Sequence, residues 1–192
     1  MFSPQDFLDN WNKDIYGLVN YDEKIINSFS LSQETKDFLI KIGFPESAPP
    51  FLTFEPEVNG GGERLINKNN NLGTMYHKFL YFGFTGSGNP ICIDESNSKL
   101  VYIDYGNDNK VVLINTTIDK FAQALLVYVE FIKRVKAVNG RKAYLEQNAT
   151  QDLLEWISGV LQKIDAVSLT DGCFWEEELG SFSEWDYIKW NT

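Results

Sequence analysis

The sequence predicts an α+β fold on three observations. Apolar runs at 79–84, 91–94, 100–105 and 111–114 are separated by polar or Gly/Ser turns, as expected of short strands joined by tight connections. Directly after them, Ile118, Phe121, Ala122, Leu125, Val129, Ile132 and Val135 recur at helical spacing. Further amphipathic segments with start and stop signals lie towards both ends of the chain.

Ser3-Pro4-Gln5-Asp6 is a helix start, with Ser3 as cap and Pro4 at the first helical position. Phe7, Leu8, Trp11 and Ile15 then share one face, and Gly17 is the stop. A second helix starts at Ser32, carries Phe38, Leu39 and Ile42, and ends at Gly43 and Pro45. Four prolines in 45–56 demand extended or irregular chain, with 51–54 as an edge strand. Three consecutive glycines and an asparagine run make 57–73 a surface loop with little to order it.

After the strands, Thr116-Thr117-Ile118-Asp119 supplies a cap and a carboxylate at the third helical position. Lys133, Arg134 and Lys136 complement the far end of that helix, and Asn139-Gly140 closes it. Thr150 opens another helix, with Leu153, Leu154, Ile157, Val160, Leu161 and Ile164 as its apolar set. The tail from 171 mixes tryptophans with carboxylates. Trp175, Leu179, Phe182 and Trp185 are expected to pack inward, and Glu176, Glu177, Glu178, Glu184 and Asp186 to stay in water as a negative patch for a basic partner.

With 192 residues, 43% of them hydrophobic, the chain has length and material for a sizeable core without staples. Cys92 and Cys173 read as small buried residues, not as a disulfide framework. No secretory signal or uninterrupted apolar span is evident, so the expected location is cytoplasmic, with no membrane association. A net charge of −10 repels a phosphate backbone, which disfavours nucleic acid as a partner, and suits docking on a basic protein. The same charge also serves plain solubility.

Catalytic signatures are sparse. His77 is the one histidine, and Gly86-Ser87-Gly88 lacks the glycine two positions before a nucleophilic serine. Gly60-Gly61-Gly62 is followed by Glu-Arg, without the Lys-Ser/Thr of a phosphate loop. Asp104 and Asp108 lack calcium-loop spacing, and Asp94-Glu95 reads as a turn. No metal or cofactor is expected.

One helix ends in Phe38-Leu39 and Ile42-Gly43-Phe44-Pro45. After it come an irregular proline stretch, an apolar strand with a Gly turn, Ile91-Cys92-Ile93-Asp94, Leu100-Val101-Tyr102-Ile103-Asp104, and Asn115-Thr116-Thr117 opening a helix. Over roughly 31–135 this series resembles the SUKH superfamily, which includes yeast cell-wall glucan-synthesis regulators and many bacterial immunity proteins. The triple glycine and the segment after Asn139 depart from its shortest members. The resemblance implies one curved, mainly antiparallel sheet packed against helices, in a single domain over 1–192 with an extension at about 140–192. It also implies a non-enzymatic module that binds and neutralises a cognate toxin. Two alternatives stand beside it: a regulatory scaffold related to the wall-synthesis regulators, and an enzyme acting on carbohydrate or nucleotide through His77 or an acidic pair.

Overall fold

The four strands expected between residues 79 and 114 pair as an antiparallel meander. They belong to one seven-stranded sheet among residues 4–182, which the computed structural model of the chain describes. In chain order the elements are α1 (Pro4–Asn10), α2 (Lys13–Tyr16), α3 (Glu23–Asn27), α4 (Gln33–Lys41), β1 (Ser47–Ala48), β2 (Leu52–Phe54), β3 (Glu63–Arg64) and α5 (Leu65–Lys68). They continue with β4 (Phe79–Phe84), β5 (Pro90–Asp94), β6 (Leu100–Asp104), β7 (Lys110–Asn115), α6 (Ile118–Asn139), α7 (Gln151–Asp165) and α8 (Phe174–Gly180). The strand order is β1-β2-β4-β5-β6-β7, and β3 also pairs with β4. The strand expected at 51–54 is β2, but it is not at an edge: β1 lies on one side and β4 on the other.

The sheet is buried on both faces, which is why its strands read as continuous apolar runs. Alternation sorts their side chains. Leu80, Phe82, Ile91, Ile93, Leu100, Tyr102, Val112 and Ile114 join the large core beneath α6. Phe79, Tyr81, Cys92, Val101 and Ile103 face a second, smaller cluster with Leu65 and Tyr76. The cover for that second face comes from the segment expected to be an unordered loop. The glycines let it fold there. A Cβ on Gly61 would stand 1.8 Å from the Glu55 carbonyl oxygen, so only glycine fits that crossing. Leu65 is then buried, and the Tyr76 hydroxyl donates to the Asn109 carbonyl at 2.8 Å, tying the cover to the β6–β7 turn.

The helices follow the sequence with four adjustments. The first breaks at residues 11–12: Phe7 and Trp11 are buried, while Ile15 on α2 is exposed and not on the inner face expected for it. α3, capped by the Asp22 carboxylate and burying Ile26, has no counterpart in the expected elements. The cap of α6 is Thr117, whose hydroxyl accepts from the Lys120 N–H. Asp119 therefore sits one place earlier than a capping box needs, and its buried Oδ1 finds no partner. Burial, with the Glu34 charge nearby, raises the pKa of Asp119. At Thr150 the backbone carbonyl, not the side chain, receives the first helical bonds.

Candidate functional site

Asn115-Thr116-Thr117 is the join between sheet and C-terminal helices. With Thr117 capping α6, the other two residues hold the end of α7. Asp165 is buried there. It accepts from the Thr116 N–H at 2.7 Å, the Thr116 hydroxyl at 2.9 Å, Asn115 Nδ2 at 3.2 Å and Lys120 Nζ at 3.2 Å. Asn115 Oδ1 in turn accepts from the Trp175 indole N–H at 2.9 Å. A carboxylate so enclosed is bound by donors on every accessible side, which suits a structural clamp and leaves nothing for a ligand.

Past the clamp, α8 sorts its side chains by angle. At about 100° per residue, Trp175 and Leu179 fall on one face; both are buried, as is Phe182 just past the helix end, all as expected. Glu178 lies only about 60° from that face and Glu176 about 100° on the other flank. The expectation that both face water fails for this reason. Glu176 is 9% exposed, and its Oε2 accepts from the Gly172 N–H at 3.2 Å. Glu178 is partly buried and accepts a short hydrogen bond from the Tyr128 hydroxyl. Burial raises its pKa, against the opposing effect of that bond. Glu177, on the far side of the helix, is the exposed one. Glu184, Trp185 and Asp186 lie outside the described residues.

Glu177 and Glu178 stand on the wall of a cavity of about 380 Å³. Its other walls are the Pro50-Phe51 turn, the β4–β5 turn at Thr85, Gly86 and Ser87, Tyr102 on β6, and Phe174. Tyr102 donates to Glu177 Oε2 at 2.8 Å. Burial, then the bond and charge of Glu177, push the Tyr102 pKa well up, so this phenol stays a donor. Phe51 projects with 66% exposure at φ 54°. Gly86 makes that placement feasible, because a Cβ there would stand 2.8 Å from the Phe51 Cβ. A smaller cavity of about 110 Å³ adjoins along Phe51 and Glu178, with Leu145 on its rim. Among the described residues no lysine or arginine pairs with either glutamate.

The other sequence candidates lie apart from this groove. His77 is exposed on a 3-10 turn, with its carbonyl receiving Arg64. Asp94 caps its hairpin: burial pulls its pKa up, but bonds from Lys78 and Ser96 outweigh that and hold it low. Cys92 and Cys173 are buried free thiols. Among the described residues no group of three or more His, Cys, Asp or Glu is placed to hold a metal ion, and no helix is long and apolar enough to cross a membrane.

Neither the curated proteins nor the solved structures contain a match to this chain. A family model does match, and it reaches well beyond the 31–135 stretch that carried the resemblance. It takes in α1 at one end and the clamp and α8 at the other. Its description is SUKH-4 immunity protein, and with residues 4–181 matched the chain belongs to that family.

Proposed function

We propose that this chain is a non-enzymatic immunity protein that binds a cognate toxin within the producing cell and holds it inactive. The observation that carries the proposal is the match to an immunity family over nearly the whole chain. The core supports treating the chain as one binding domain, since a single cluster runs from Phe7 to Phe182. The net charge of −10 favours a basic partner, because opposite charge speeds encounter and selects against wrong partners. Within the expected patch, Glu177 is the carboxylate best suited to meet such a partner. Glu176 and Glu178 serve the packing of α8.

Co-expression with the product of the neighbouring gene, taken as the candidate toxin, is the test. Restored growth and a stable complex of the two proteins support the proposal. Unrelieved toxicity with no complex sinks it. A scaffold of wall-synthesis proteins would instead recover several partners from native cells. Acid–base chemistry by Glu177 and Glu178 draws support from the raised pKa of Glu178 beside a cavity. It is the weaker reading, because each carboxylate already holds a tyrosine hydroxyl.

A further inference from the structure

Phe51 and Leu145 are large apolar side chains left 66% and 69% exposed, and they line one cavity together with Glu178. Phe51 also lines the larger cavity with Glu177 and Tyr102. The two cavities therefore share a wall and form one surface. Its anchors come from remote parts of the chain, and φ 54° at Phe51 is a conformation that bulky residues avoid. The fold holds this ring outward. The charged side chains around the surface are all glutamates. Other cavities differ in this respect. The one between α1, α2 and α6 carries both Glu130 and Lys133, and the one over β4 contains Lys68, whose ammonium already bonds Glu55.

We infer that this joined surface is where the toxin docks, and that its occupant is a toxin segment carrying an arginine beside an apolar side chain. The inference rests on the toxin-neutralising reading and names the partner chemistry for it. The guanidinium meets the exposed Glu177 carboxylate and lays its flat face on the neighbouring aromatic rings, which a compact ammonium does less well. The apolar neighbour fills the space between Phe51 and Leu145. Hot spots take this form: an aromatic anchor in a partly enclosed pocket, with a charge pair shielded from water beside it.

The experiment measures binding of the full chain to the purified toxin domain identified by that co-expression. Wild type is compared with Phe51→Asn, Leu145→Ser, Glu177→Gln and the exposed control Ile15→Ser. Asparagine tolerates positive φ, so Phe51→Asn removes the ring without forcing the backbone. Melting temperatures report that each variant is folded. The expected result is a loss of roughly 30-fold for Phe51→Asn and roughly 10-fold for Glu177→Gln, with Ile15→Ser within about twofold of wild type. The Glu177→Gln loss should shrink in high salt. If wild type binds and the three groove variants bind equally well, the docking site lies elsewhere while toxin neutralisation stands. If wild type does not bind, the functional reading falls and this inference with it. Sedimentation showing a dimer of this chain that Phe51→Asn dissociates would assign the surface to a second copy and overturn the inference.

Discussion

Asp165 and Glu177 are carboxylates twelve residues apart on neighbouring C-terminal elements, and they live in opposite circumstances. Asp165 is enclosed and receives donors from Asn115, Thr116 and Lys120. Glu177 stands in water with one tyrosine bond, at the mouth of a groove with an exposed phenyl ring. The first is saturated, and its free energy goes into joining two parts of the fold. The second keeps capacity for a partner. The contrast also separates the motif that carried the resemblance from the surface proposed above for the partner. Asn115-Thr116-Thr117, which carried the resemblance, belongs to the clamp. The groove carries no such motif.

The comparison breaks first at the clamp. Trp175→Ala should cost about 3–5 kcal/mol in urea unfolding, since it opens a large cavity and leaves Asn115 Oδ1 without its donor. A loss under about 1 kcal/mol would mean that α8 contributes little to the core. Asp165→Ala should cost about 3 kcal/mol, because the Thr116 N–H and the Asn115 amide are left unpaired in the interior. The same measurement checks it.

Glu178 lies between these extremes, and pH exposes its position. Its pKa is raised in the fold above the ordinary 4.5. Its favourable contribution is therefore complete below the unfolded value and is lost as pH rises through the folded one. Glu178→Gln keeps an acceptor for Tyr128 and removes the titration. Unfolding curves from pH 4 to 8 should show wild type losing ground to this variant as pH rises. The reverse trend would mean that Glu178 is held as an ion. The smallest stability effect belongs to Glu177→Gln, within about 0.5 kcal/mol of wild type. A larger loss would place Glu177 in the packing and not at the groove mouth.

Much of the fold was legible because its signals are local. Strand runs, the Ser32 start and the spacing from Ile118 to Val135 each reflect one element's periodicity. The loop expected at 57–73 is instead part of the cover: its glycines suggest freedom, whereas Gly61 is there for a close crossing that only the fold reveals. α3 is five residues long and offers one cap and one buried isoleucine, too little to register. Residue type alone puts Glu176 and Glu178 in water, whereas the helical angle turns both towards the packed side. Applying 100° per residue from Trp175 would have singled out Glu177 in advance. The groove itself was beyond reach, since Phe51, Tyr102, Leu145 and Glu177 meet only when the sheet turns, the 141–147 turn and α8 are assembled.

Neutralisation by binding has a stoichiometric signature that a titration reads out. Purified chain is added stepwise to a fixed amount of the toxin domain identified by co-expression while the toxin's own activity is followed. Tight binding predicts a linear fall that reaches its floor at one chain per toxin. Activity that persists through excess chain would contradict the account. So would activity that disappears at far less than one equivalent, because that would require turnover and make this protein an enzyme.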